Sequence, residues 1–242
     1  DDMPNRSQKT PVWKSIHTTL SGDISAGRYA QGDKLPTEAA LAQRFGVNRH
    51  TVRRALAQLA DDGLVHARRG AGVFVTHEPT LYPIGKRVRF HQNLRAAGRV
   101  PTKDILALET RTAGSEEAKM LSLPQAGMVH VYEGISRADG HPVALARTVF
   151  PADRFPDLPE ALAKHRSITA ALKQNGLADY TRAWTRFTAK RASATQALHL
   201  QIGEGAPLLR TVSLSQDADG QPVEFGQTWF AGDRVTLTVG EE

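Results

Sequence analysis

Thr37-Glu38-Ala39-Ala40-Leu41-Ala42-Gln43-Arg44-Phe45-Gly46-Val47-Asn48-Arg49-His50-Thr51-Val52-Arg53 sets out a helix, a stop and a second helix start within one short stretch. Thr37 is a good N-cap, and Glu38 complements the positive end of the helix it opens. Ala40, Leu41 and Phe45 would form the apolar face. Gly46 breaks that helix because glycine alone reaches left-handed backbone without cost. Asn48 caps the next helix, whose Val52, Leu56 and Leu59 recur on one side until Gly63 stops it. Two short helices meeting at a tight glycine turn read as a helix-turn-helix.

Upstream, Val12, Ile16, Leu20 and Ile24 recur every four residues and predict a first helix, ended by Gly27. Tyr29–Pro36 is a turn-rich connector. Downstream, Leu64–Ala67 and Val73–Val75 are short β segments around Arg68-Arg69-Gly70-Ala71-Gly72, a glycine-containing hairpin tip. Residues 11–76 therefore outline a winged helix-turn-helix. Residues 1–10 are polar and patternless and read as a loose tail. Residues 77–85 contain Pro79 and Pro83 without apolar period, and read as a linker.

Beyond the linker the pattern turns to mixed α/β, so the predicted fold class is α+β in two domains. Strands are expected at Ile105–Thr110, Val129–Arg137, Val143–Phe150, Leu208–Ser215 and Val223–Phe230, with an extended Asp179–Ala189. Short helices are expected at Glu116–Leu121, Ile168–Gln174 and Ala192–His199. One motif recurs eighty residues on. Ala138–Arg154 (ADGHPVALARTVFPADR) returns as Ala218–Arg234 (ADGQPVEFGQTWFAGDR). Asp-Gly before a strand is common hairpin chemistry. The shared Thr, Phe and Asp-Arg lie outside the turn, so residues 86–242 are read as two related helix–hairpin units building one antiparallel sheet.

Composition closes off several functions. Cys is absent, which excludes disulfides, thiolate nucleophiles and Cys-ligated metals and suits a cytoplasmic protein. No run of about 18 apolar residues suggests a membrane span. The nine histidines show no metal-ligand spacing, and no phosphate loop, dinucleotide fingerprint or nucleophile elbow appears. No cofactor or metal is expected. Lys+Arg exceed Asp+Glu, 31 against 25, and the net charge of +6 permits a polyanionic partner.

The basic excess is localised. Arg44, Arg49, Arg53, Arg54, Arg68 and Arg69 are close in sequence, with only Asp61 and Asp62 among them. Arg49 and Arg53 are four apart and share a helix face away from the apolar stripe. Asn48, Arg49, His50 and Thr51 occupy the first turn, the part of a recognition helix that reaches base edges in the major groove. Arginine's planar fork can bond guanine O6 and N7 together. Arg68, Arg69 and Gly70 at the hairpin tip suit phosphates or the minor groove. Such a module covers only a few base pairs, so a two-fold homodimer on a near-palindromic double-stranded operator is expected.

Asp33-Lys34-Leu35-Pro36-Thr37-Glu38, Leu41 to Arg53, Leu59-Asp62-Gly63-Leu64 and Gly70-Ala71-Gly72-Val73-Phe74-Val75 resemble the N-terminal domain of GntR-type transcription regulators. The resemblance implies operator contact by Arg49, Thr51 and Arg53, with Gly70 in the minor groove. Ala39 stands where many members carry Arg or a polar residue. Residues from about Lys86 to Val239 resemble the effector domain of the HutC branch, which implies a chorismate-lyase-like fold and dimerisation through that domain. Arg89-Phe90, Asn93-Leu94, Gly98, Pro101, Ser167-Ile168-Thr169, Asp179-Tyr180-Thr181-Arg182 and Thr185-Arg186 look most like the phosphonate-utilisation regulators of that branch. Sugar-phosphate sensors of the branch usually carry an Arg-x-Arg pair where Gly134 and Ser136 stand, and often a Glu at Ala146.

The resemblance implies a ligand-responsive repressor with a small anionic effector, a phosphonate or phosphate. Arg87, Arg89, Phe90 and Asn93 bring arginines to an expected helix start, a phosphate-friendly arrangement. Ser167 and Thr169 sit at another. Tyr180, Arg182 and Arg186 alternate on an extended segment, which predicts one shared strand face. Ser136 and Glu224 complete the candidate set. The alternatives are a sensor of a sugar phosphate or amino-acid derivative in the same regulator class and, more distantly, a chorismate-lyase-like enzyme.

Overall fold

The computed structural model describes residues 11–76, 79–87, 94–95 and 99–240. The tail at residues 1–10 lies outside the described residues, as do the candidates Arg89, Phe90 and Asn93. The chain forms two compact units, Asp1–Glu78 and Pro79–Glu242.

In the first unit, α1 (Val12–Ser25), α2 (Glu38–Phe45) and α3 (Arg49–Asp61) precede a hairpin of β1 (Val65–Arg68) and β2 (Gly72–Val75). The expected caps are made. Thr37 Oγ1 accepts from the Ala40 N–H at 3.2 Å, and Asn48 Oδ1 from the Thr51 N–H at 2.8 Å. Gly46 closes α2 at φ 63°. Ile16, Leu20, Leu41, Val52, Leu56 and Leu59 form the core with Val65 and Val75. Val12 is instead 56% exposed. A four-residue repeat turns about 40° per step against a 3.6-residue helix, so the end of the stripe leaves the seam. Ala40 is also exposed, one position off the buried Leu41. The wing gains a third strand-like segment: the Leu35 N–H donates to Val73 O at 2.8 Å, and the Val75 N–H to Asp33 O at 2.9 Å.

The second unit begins with β3 (Thr80–Pro83), inside the segment read as linker. It pairs in parallel with β10 (Val235–Thr238), near the other end of the unit. Four residues carry too little periodicity to show a strand, and Pro83 sits at its last position, where a lost donor matters least.

Between β3 and β10 run β4 (Pro101–Thr112), α4 (Ser115–Met120), β5 (Met128–Ala138), β6 (His141–Pro151), α5 (Leu158–His165), α6 (Ile168–Gln174), β7 (Thr181–Arg191), α7 (Ala194–Leu200), β8 (Pro207–Gln216) and β9 (Pro222–Ala231). Six strands form one antiparallel sheet in the order β4-β5-β6-β9-β8-β7. β4-α4-β5-β6 and β7-α7-β8-β9 are the same unit twice, and their last strands pair at the centre. There Arg147 lies opposite Gln227, its own counterpart in the repeat. The α+β class and the antiparallel sheet are as the sequence predicts, with Asp139 (φ 51°) and Gly140 (φ 81°) making the β5–β6 turn.

Candidate DNA-reading face and ligand cavity

The sequence groups six arginines, and the fold sorts them. Arg44 pairs with the buried Asp23 at 2.8 Å and stacks on Phe45. Arg54 lies over the Trp13 ring at 4.7 Å. Both brace the first unit from within. Arg68 lies over Phe74 at 4.6 Å, and its Nε donates to His66 Nε2 at 3.1 Å, so it stiffens the wing as well as charging it.

Arg49 and His50 are exposed on the first turn of α3, and Arg69 and Gly70 are exposed at the wing tip, where Gly70 takes φ 75°. Among the described residues, Arg49 and Arg69 make no hydrogen bond or ion pair within the protein. Arg53 is exposed but engaged: its Nε and Nη2 reach the Glu38 carboxylate at 3.1 and 2.8 Å. That bidentate pair holds Glu38 below the usual carboxylate range and staples α2 to α3. Thr51 Oγ1 donates to Asn48 Oδ1 at 2.9 Å, so the cap and its hydroxyl partner are already joined. This end of α3 presents cations and unspent helix N–H groups, an arrangement that attracts phosphate.

The second unit contains a cavity of about 80 Å³ against one face of the sheet. Period-two alternation supplies its floor: Ala144, Ala146 and Thr148 from β6, and Glu224, Gly226 and Thr228 from β9. The pairs Ala146–Thr228 and Thr148–Gly226 lie directly opposite. Ser136, Thr211 and Ser213 widen it, Lys103 and Arg182 bring positive charge from the two edge strands, and Tyr82, Ile84 and Ile168 help enclose it.

The cavity is electrostatically tense. Burial pushes Glu224 up from the ordinary carboxylate value, opposed by the Ser215 hydroxyl and by Arg182 and Lys103. Burial pushes Lys103 down to about 8, opposed by Glu224. Glu224 Oε1 accepts from Ser215 Oγ at 3.1 Å. Glu224 Oε2, Arg182 Nε and Thr185 Oγ1 are buried without a hydrogen-bond partner among the described residues. Buried polar atoms cost about 1–3 kcal/mol each when left unmet, so an orphaned cluster around a cavity marks a place for a ligand or water.

Of the effector candidates read from sequence, Ser136, Arg182 and Glu224 line this cavity. Tyr180 is buried close behind, its hydroxyl 3.4 Å from Thr169 Oγ1, and is pushed up by burial and by Glu224. Ser167 caps α6, accepting from the Ala170 N–H at 3.3 Å. Arg87 pairs with Asp179 at 2.8 Å and does not line the cavity.

Arg186 does not share a face with Arg182. The β7–β8 register slips between Arg182 and Trp184, and one extra residue reverses the alternation that follows. Thr185 lines the cavity instead, while Arg186 stacks over Trp184 at 4.5 Å. Lys103 escaped the sequence reading because its strand was placed further along. No group of His, Asp or Glu able to hold a metal occurs among the described residues.

A three-helix head with a β wing, joined to a second α+β domain, defines the class of winged-helix transcription regulators. Residues 14–75 match the family model for bacterial regulatory proteins of the gntR family, and residues 96–236 match the UTRA domain. The chain belongs to the GntR family and is a transcriptional regulator of its UTRA-containing branch. It is 37% identical over 97% of its length to an uncharacterized HTH-type transcriptional regulator of Rhizobium meliloti, covering 96% of that protein. It is 34% identical over 87% of its length to the probable transcriptional regulator PhnF of Escherichia coli, covering 88% of it. The crystal structure of PhnF from Mycobacterium smegmatis superposes with a TM-score of 0.66 at 28% identity, covering 96% of this chain and 99% of that one. No described helix is long and apolar enough to cross a membrane.

Proposed function

We propose that this protein is a ligand-responsive repressor that binds a near-palindromic operator as a homodimer. In this reading it acts in the cytoplasm on genes of phosphonate or phosphorus metabolism. The first turn of α3, with Asn48, Arg49, His50, Thr51 and Arg53, enters the major groove, and Arg68, Arg69 and Gly70 reach the adjoining backbone or minor groove. The second unit takes a small anion, a phosphonate or phosphate, against Lys103 and Arg182, and that occupancy weakens operator binding.

The observation that carries the ligand half is the buried Nε of Arg182, unmatched among the described residues, in a cavity that Lys103 also lines. Relatives named PhnF in two bacteria, and the phosphonate-regulator resemblance of the effector region, support the ligand class.

Arg182 also offers a route outward. Its backbone N–H donates to Lys86 O at 2.7 Å and its Nη1 to Gly85 O at 3.3 Å, in the segment that follows β3. An anion drawing on Arg182 would compete with that hold. The test is fluorescence anisotropy on a duplex from the protein's own promoter, with phosphonates added. Operator binding that ignores every phosphonate and phosphate overturns the ligand assignment, and failure to bind the duplex at low salt overturns the whole reading.

A further inference from the structure

An anion accounts for Arg182 and Lys103 but leaves Glu224 worse off. The Glu224 side chain is fully enclosed, with the residue 5% exposed, and one of its oxygens meets no donor among the described residues. Placed alone in this cavity, an anion would lie close to a buried carboxylate, and repulsion between like charges is strong away from water. Among the described residues, Glu224 accepts one hydrogen bond, from the neutral Ser215 hydroxyl.

The repeat adds a second, independent observation. Alanine 144 occupies the position equivalent to Glu224, eighty residues earlier, and lines the same cavity. The sheet therefore closes around an apolar residue at that position in one half and a carboxylate in the other. The acid is not required by the scaffold.

We propose that the ligand is a short zwitterion, with its anionic group held by Lys103 and Arg182 and an amine held by Glu224. The assignment rests on the anion-binding reading above and extends it. Two cations and one carboxylate leave the site with one net positive charge. A phosphonate dianion that also carries one ammonium has one net negative charge, the complement of the site. An ammonium donates three hydrogen bonds, enough for Glu224 Oε2 and for hydroxyls among Thr148, Thr211, Ser213 and Thr228. Glu224 Oε2 and Arg182 Nε, buried without a hydrogen-bond partner among the described residues, then both find one in a single molecule.

The test is isothermal titration of the full-length protein with 2-aminoethylphosphonate and with propylphosphonate, which replaces the ammonium by a methyl group. The amine-bearing probe should bind about tenfold or more tightly, as expected when a buried charge is otherwise left unpaired. Glu224→Gln should remove that preference by weakening the amine-bearing probe alone. Equal binding of both probes to the wild-type protein, or a preference that survives in Glu224→Gln, overturns the amine assignment while an anion-binding cavity stands. No binding of either probe overturns the anion-binding reading as well. The wild-type comparison decides the matter even if the variant does not fold.

Discussion

Arg234 donates to the carbonyl of Pro142 at 2.7 Å, reaching from the end of the second repeat to the hairpin of the first. The relation is reciprocal. Arg154, the equivalent residue in the first repeat, donates to Pro222 O at 2.9 Å. The Asp-Arg at the end of each copy of the motif therefore clamps the Asp-Gly hairpin at the start of the other. Arg234 also binds Leu200 O and Gln201 O at the end of α7, and Arg154 binds Asp217. What the sequence displays as a repeat is a pair of mutual locks closing the centre of the sheet.

Replacing Arg234 by Met should destabilise the second unit by roughly 2–4 kcal/mol, because carbonyls desolvated around it lose their donor. Arg154→Met should cost less, about 1–2 kcal/mol, since water can reach its partners. Urea unfolding of the two variants in parallel checks the order. Equal losses would show that burial does not separate the two locks.

Arg49→Ala should weaken operator binding by about 1–3 kcal/mol and leave the melting temperature unchanged. Arg53→Ala should weaken it less, because Arg53 must first leave Glu38. Anisotropy titrations at several salt concentrations measure both, and the slope of affinity against salt should flatten for a residue that touches phosphate.

Arg182→Gln should blunt the weakening of operator binding by 2-aminoethylphosphonate, measured against that variant's own ligand-free affinity, since coupling of this kind is typically ~1–3 kcal/mol. Release at the wild-type concentration would place the anion elsewhere. Arg186→Gln is the matched control: its guanidinium lies over Trp184, and release should be unaffected.

Acid should unfold the second unit partly through Glu117. Two bonds from Arg111, at 2.8 and 2.9 Å, hold its carboxyl down to about 2 from an ordinary 4.5. A lowered carboxyl stabilises the fold above the unfolded value and loses that contribution as pH falls from about 4.5 towards 2. The shift corresponds to roughly 3 kcal/mol. Stability measured by urea at stepped pH should fall across that window, and Glu117→Gln should flatten the fall by being less stable at pH 7.

The first unit was legible because its elements are announced locally: Thr37 and Asn48 at helix starts, Gly46 and Gly63 at stops, glycines at the hairpin tip. The repeat gave the sheet's central hairpins for the same reason. The short α5 (Leu158–His165) does not stand out, since only eight residues follow the helical period, although Pro159 suits the first turn of a helix. β3 and β10 are strands through each other, and no local signal brings residue 80 to residue 235. The cavity was only half visible. Arg182 and Glu224 stood out as charges in extended segments, but a one-residue bulge decides whether Thr185 or Arg186 faces inward. In the first unit, sequence proximity alone does not separate Arg44 and Arg54, which engage Asp23 and Trp13, from the arginines left exposed.

The pairing of Arg147 with Gln227 fixes the midline of a duplicated architecture, yet Ala144 and Glu224 lie on either side of it as unlike twins. Symmetry of backbone with asymmetry of chemistry gives the chamber a handedness. If the cavity takes the proposed zwitterion, its two ends should be held in one polarity, and each chain should respond to a single molecule.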